Sequence, residues 1–188
     1  MSSRHLFAMG ITRLRKDPGT VISFEFSGTI PDLKVVSSYV DDDEEITAVG
    51  TAESVHGGIM ITGTISTRWK GECRRCLGPA SGSLEVFVRE LFERVEPDSP
   101  QPFEGETYPY TGDVIDLQEM VKDQVLLELP LAPLCREDCK GLCVSCGADL
   151  NLRSCGCYSV AIDPRWSTLD VLVDKDRLGY SSDISGFA

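Results

Sequence analysis

Histidine is nearly missing from this chain, with only His5 and His56 among 188 residues. Neither stands in a recognisable nucleophile context, so a Ser-His or Cys-His centre has almost no base to draw on. The chain has no GxxxxGK[ST] loop and no GxGxxG after a strand, which removes the common phosphate-cradling motifs. Long apolar runs are missing too. The most apolar segment, Val125 to Leu134, is broken by Glu128, Pro130 and Pro133, and a membrane-spanning helix needs about eighteen or more such residues in a row. The opening MSSRHLFAMGITRLRK has no continuous apolar stretch and no small-residue cleavage site of the secretory kind. Positive charge is scarce: 18 Lys and Arg against 30 Asp and Glu give a formal net charge of −12. A typical nucleic-acid binder is basic because neutralising phosphates drives its affinity. Any nucleic-acid contact here must therefore be local. These absences predict a cytoplasmic protein that is not an enzyme.

What is abundant is cysteine. Six of the eight cysteines, Cys135, Cys139, Cys143, Cys146, Cys155 and Cys157, fall between Leu129 and Cys157. Isolated buried thiols have no tendency to cluster, and in a reducing compartment dense thiols are more often metal ligands than bridges. The tightest unit is Cys143-Val144-Ser145-Cys146-Gly147. Two thiolates with two residues between them can grip one tetrahedral ion, and the glycine permits the turn that follows. The segment reads as a structural zinc module, with reduced structural thiols and disulfides as the alternatives. An iron–sulfur cluster also uses four cysteines and stays as a minor option, since the spacings do not match the ferredoxin runs. Partners for Cys143 and Cys146 are either Cys155 and Cys157 or Cys135 and Cys139, and eight thiols are enough for two four-cysteine sites.

Cys73 and Cys76 form a second CxxC unit, open to three readings. A redox pair needs its first cysteine at a helix N-terminus, whereas here Gly78 and Pro79 follow. A metal half-site completed by the later cysteines, or an inert pair in a turn, fits that context better. Around it stand Arg68, Trp69, Lys70, Arg74 and Arg75. Arginines beside an aromatic residue can bind phosphate and stack on unpaired bases, so these five are the candidate RNA contacts. The bland alternative is a solvated strand end beside a half-buried tryptophan.

Along the rest of the chain, Thr20–Ile30, Ile46–Val55, Gly58–Trp69 and Ser83–Val95 alternate as half-buried strands do. Leu33–Tyr39 reads as a shorter strand, and His56-Gly57-Gly58 as a hairpin turn. Residues 1–19 read as a solvated basic arm, 41–45 (DDDEE) as a solvated acidic loop, and 97–110 as a Pro-rich linker. Leu117, Met120, Val121 and Val125 make one apolar helical stripe, capped by Asp113 or Asp116 and stopped at Pro130. Leu169, Val171, Leu172 and Leu178 suggest a short helix or packed tail. The expected fold is α+β: a mainly antiparallel sheet, open or curled into a partly closed barrel, with one main helix near 114–129 and a C-terminal cysteine-rich zinc module. In domain terms, 1–130 is a β-rich unit ending in the helix, 131–170 a metal-binding segment packed on it, and 171–188 a tail.

GECRRCL at 71–77, ELF at 90–92, LLELPLAPLC at 126–135 and CREDCKGLCVSCGADLN at 135–151 together resemble the large ribosomal RNA subunit accumulation protein (YceD) family. The trailing CGC at 155–157 and DPRW at 163–166 resemble its cysteine-rich, actinobacterial-type members. The resemblance implies a non-enzymatic ribosome-biogenesis factor for large-subunit (23S) ribosomal RNA. Such a protein would bind that RNA or an assembling large subunit, directly or through a ribosomal protein, with no membrane and no small-molecule substrate. It also implies zinc as a support for the C-terminal segment and not as the activity itself. The competing reading, from another class, is a thiol redox or metal-handling protein, and a third is a pure protein-interaction module.

Overall fold

In the computed structural model, residues 6–17, 19–95, 107–157 and 165 are described. The centre of the fold is one long hairpin. Strands β4 (Ile46–Val55), β5 (Gly58–Glu72) and β6 (Pro79–Arg94) pair antiparallel in sequence order. The turn between the first two is His56-Gly57, with Gly57 at φ +95°, as the two-residue loop requires. The turn between the last two is the Cys73–Gly78 segment itself, because Glu72 pairs with Pro79. β2 (Val21–Gly28) extends the sheet at β4. The two-residue β3 (Ser38–Tyr39) pairs with β5, so the expected strand at 33–39 is mostly loop.

At the far edge, β7 (Tyr108–Tyr110) lies parallel to β6. That segment had read as linker because of Pro109, but an edge strand tolerates a residue that donates no hydrogen bond. The sheet order β2-β4-β5-β6-β7 therefore has two ends, and among the described residues no pairing joins them. The sheet is open and mixed, not a barrel. One face is covered instead. β1 (Ala8–Gly10) pairs with β8 (Val114–Asp116) as a separate two-stranded sheet, flanked by α1 (Thr12–Lys16) and α2 (Gln118–Glu128).

The core lies between that cover and the inner side of the long hairpin. Ile59, Ile61 and Ile65 of β5 meet Leu84, Val86, Val88 and Phe92 of β6, together with Met120, Val121 and Val125 of α2. The helical stripe read from the sequence is thus the buried one. Asp116 accepts a hydrogen bond from the Gln118 amide at 2.9 Å, holding the helix start, while Asp113 pairs with Arg15 instead.

The N-terminal reading needs correction. Phe7, Met9, Ile11 and Leu14 are all buried, so these four side chains anchor the segment in the core and it is not a solvated arm. Each such side chain contributes about 1.5–3 kcal/mol when fully buried, and the basic residues interspersed among them masked this pattern. The acidic loop is corrected as well: Asp41 pairs with Lys70 and Glu44 with Arg68, so part of it is docked on β5. The expected tail helix after Trp166 lies outside the described residues.

Two glycines fix how closely β4 and β5 approach. Gly50 and Gly63 face each other across the strands, and a Cβ on Gly63 would lie 2.4 Å from the Val49 carbonyl oxygen. Backbone cannot retreat from that contact as a flexible side chain can. Gly63→Val is therefore expected to cost about 2 kcal/mol of unfolding free energy, read by urea denaturation. A cost within a few tenths of a kcal/mol would show that the strands separate easily.

Candidate metal centres

The eight thiols gather into two groups of four. Cys73, Cys76, Cys135 and Cys139 form the first, and Cys143, Cys146, Cys155 and Cys157 the second, with the sulfurs of each group within 4.8 Å of one another. In the first, Cys73 and Cys139 Sγ stand 3.8 Å apart, and Cys76 and Cys135 Sγ 3.7 Å. Four thiolates bound tetrahedrally at 2.3 Å to one zinc ion have S···S edges of about 3.8 Å, whereas a disulfide needs about 2.05 Å. All eight cysteines are free thiols. The donor set and spacing of these residues therefore fit a metal ion.

The two CxxC turns have the same backbone bonding. In the first, Cys73 N–H donates to Gly78 O at 2.8 Å and Leu77 N–H to Cys73 O at 2.8 Å. In the second, Cys143 N–H donates to Ala148 O at 2.8 Å and Gly147 N–H to Cys143 O at 2.9 Å. Both turns need a left-handed residue just after the second cysteine, supplied by Leu77 at φ +58° and Gly147 at φ +70°. Glycine takes that conformation freely and leucine does so at a cost, so the first turn holds a strain that its surroundings must enforce.

Electrostatics differ from thiol to thiol within each group. Amide hydrogen bonds, chiefly from Cys76 and then Cys135, lower the Cys73 thiol to about 6. The amides of Cys146 and Ser145 do the same for Cys143, also to about 6. Each group thus has one thiolate ready at neutral pH. Desolvation, followed by the neighbouring Cys139 thiol, pushes Cys135 up to about 12. The proximity of Cys146 and then Cys143 pushes Cys157 up to about 12. For Cys139, burial opposes ionisation but the Asn151 amide and the Gly141 N–H outweigh it, and its pKa is lowered.

The first centre joins distant parts of the chain. Cys73 and Cys139 are buried with Ala80, against Trp69, Cys76 and Leu134. Arg74 N–H donates to Pro133 O at 2.9 Å and Leu142 N–H to Arg75 O at 3.0 Å, so the hairpin tip is bonded along the segment that leaves α2. The second centre draws its ligands from residues 143–157 alone.

The basic residues singled out in the sequence sit around the hairpin tip, largely engaged within the protein. The Arg68 guanidinium donates to both Glu44 carboxylate oxygens at 2.8 and 3.2 Å, and Lys70 donates to Asp41. Arg75 Nη1 donates to the carbonyls of Glu137 at 3.1 Å and Cys139 at 2.9 Å. Trp69 is half-buried, its ring lying over Gly82. The Arg74 side chain is exposed.

Sequence reasoning missed Asn151. Its Oδ1 accepts from Lys140 N–H at 2.8 Å and from Arg136 Nη2 at 2.7 Å. Its Nδ2 donates to Asp149 Oδ1 at 2.8 Å and to Cys139 Sγ at 3.4 Å. The Asp-x-Asn spacing after Cys146-Gly147 was the available signal, since short polar side chains of that kind close turns. A hydrogen bond to a ligand sulfur both orients it and favours its thiolate. Four thiolates leave no open position for water or substrate, which makes such a centre structural.

The family model described as "Large ribosomal RNA subunit accumulation protein YceD" matches residues 61–173. An uncharacterised protein of Mycobacterium tuberculosis is 35% identical over 193 aligned residues, covering 97% of this chain and 87% of its own. The uncharacterised protein YlbN of Bacillus subtilis is 28% identical, covering 82% of this chain and 90% of its own. A chloroplastic protein of Arabidopsis thaliana, named large ribosomal RNA subunit accumulation protein YCED homolog 1, is 44% identical over 50 residues, covering 27% of this chain and 16% of its own. No solved structure matches. With the match covering most of β5, all of β6 and all eight cysteines, this chain belongs to the YceD family of large ribosomal RNA subunit accumulation proteins.

Proposed function

We propose that this protein supports accumulation of large-subunit (23S) ribosomal RNA as a cytoplasmic, non-catalytic assembly factor that binds the RNA or an assembling large subunit. The observation that carries this reading is the family match, which begins inside β5 and runs through both cysteine groups. The relatives from Arabidopsis thaliana and Zea mays, named as large ribosomal RNA subunit accumulation protein homologues, support it. A depletion strain tests it: mature 23S RNA is expected to fall while the small-subunit RNA persists, with the protein sedimenting alongside large-subunit precursors. Normal 23S RNA after depletion, with the protein confined to free fractions, would overturn the assembly role.

Two zinc ions, one per four-thiolate group, complete the reading. Because the first group takes ligands from both sides of residue 130, the ion there would fasten the cysteine-rich segment to the β-rich domain. Elemental analysis is expected to find two zinc ions per chain in a colourless protein. Iron in their place would give strong visible absorption.

For the RNA contact, the hairpin tip around Arg74 is the surface favoured by charge. Arg74→Glu is expected to weaken association with 23S RNA several-fold and to lower the salt-dependence slope by about 1. Arg68→Glu should do less, because Glu44 already engages that guanidinium. An unchanged affinity and slope in Arg74→Glu would shift the contact to a ribosomal protein, which suits the net charge of −12.

A further inference from the structure

The two centres share ligand chemistry but differ in what holds them together. In the first, Cys76 and Cys135 stand 59 positions apart in the chain. Cys73 and Cys139 are 0% and 3% exposed, and Arg75, Asn151 and two backbone bonds brace the ligand loops. Freeing an ion there means lifting the β5–β6 tip off residues 133–142. In the second, every ligand lies within one short segment, and Cys146 and Cys157 are exposed.

The last hydrogen bond before the Cys155–Cys157 arm is Arg153 N–H to Asp149 O at 3.1 Å. Among the described residues, no backbone–backbone hydrogen bond involves 154–157, and the Cys157 amide that meets the Cys155 sulfur is a contact within the arm. The other half of the centre is braced by bonds that do not involve the arm. Leu142 bridges Asp149, and Leu150 N–H donates to Gly141 O at 2.9 Å. Asn151 remains tied to Cys139 and Asp149. Opening at residues 153–154 would thus free two of the four ligands without breaking a backbone–backbone hydrogen bond among the described residues.

We infer that the Cys143/Cys146/Cys155/Cys157 centre is an exchangeable metal site, which yields its ion to a competing chelator while the protein stays folded, whereas the Cys73/Cys76/Cys135/Cys139 centre holds its ion until the hairpin tip detaches. Local opening takes less free energy than sub-global opening, and exchange rates follow that difference. The inference rests on the zinc reading above.

The test is metal release from the full-length, zinc-loaded protein to excess 4-(2-pyridylazo)resorcinol, followed by absorbance. Two equivalents are expected in two phases, the faster by roughly tenfold or more, with circular dichroism unchanged through the fast phase. The Cys155→Ser/Cys157→Ser double variant should keep the slow equivalent and lose the fast one. Mass mapping of maleimide labelling on the wild-type protein guards against a variant that fails to fold: Cys143, Cys146, Cys155 and Cys157 should label during the fast phase, before the other four. A single phase for both equivalents, or first labelling at Cys73 and Cys139, would overturn the inference with the zinc reading intact. A protein that binds no zinc would overturn that reading itself.

Discussion

Cys139→Ser is expected to lower the thermal midpoint by on the order of 10 °C and to remove one of the two metal equivalents. Cys139 is buried beside Cys73 at 3.8 Å, and its sulfur receives the Asn151 amide at 3.4 Å. A serine hydroxyl is a poor zinc ligand and would leave three thiols crowded around an empty position. The Arg75 guanidinium, which donates to the Cys139 carbonyl, would lose its anchor as the loop loosens. The strained left-handed Leu77 would then have no reason to hold its conformation. Calorimetry with metal analysis checks this, and Cys146→Ser, at an exposed ligand of the second centre, provides the contrast with a much smaller shift. A midpoint within about 2 °C of the parent for Cys139→Ser would show that the first centre does not tie the segment to the sheet.

The second large effect is on pH. Cys76 and Cys155 have pKa values raised above 9.0, the first because burial and Cys73 outweigh the Gly78 amide, the second because Cys143 and burial outweigh the Cys157 amide. With Cys135 and Cys157 at about 12, at least two thiols in each group are protonated at pH 7. Zinc binds thiolate, so each ion should displace at least two protons, and apparent affinity should rise about 100-fold per pH unit at each centre. Calorimetric titration in buffers of different ionisation enthalpy counts those protons. Fewer than one per ion would mean the thiols are already ionised.

In the metal-free protein the signs separate. Cys73 and Cys143 are lowered from 9.0 to about 6, so their stabilising contribution is complete above pH 9 and fades as pH falls towards 6. Cys135 and Cys157 are raised from 9.0 to about 12, so theirs is complete below pH 9 and fades as pH rises towards 12. The thiol contribution to metal-free stability should therefore peak near pH 9 and decline on both sides.

Much of this was legible in the chain because its signals are local. Alternation in Ile59, Ile61 and Ile65, and in Leu84, Val86 and Val88, marks half-buried strands. The helical spacing of Met120, Val121 and Val125 marks the face that is buried. Cys143-x-x-Cys146-Gly147 names its own turn. Signals failed where a tertiary partner overrode composition. Pro109 sits in a strand because an edge position does not need its missing N–H. Phe7 to Leu14 is core because β8 and the sheet offered those side chains a surface, although the basic residues among them read as solvated. Arg68 and Lys70 gave no sign in the sequence of their pairing with Glu44 and Asp41, which only the placement of the Asp41–Glu45 loop reveals.

By itself the sequence determined the strand and helix faces, the cysteine-rich segment and the resemblance to its family. Each of these is written within a few residues or in the order of short motifs. Only the tertiary structure decided which cysteines stand together. Cys73 and Cys76 reach Cys135 and Cys139 because antiparallel pairing over 15 residue pairs in β5 and β6 carries the hairpin tip to the exit of α2, and spacing along the chain holds no record of that approach. The same placement separated the centre that joins two distant parts of the chain from the one whose ligands all lie within residues 143–157.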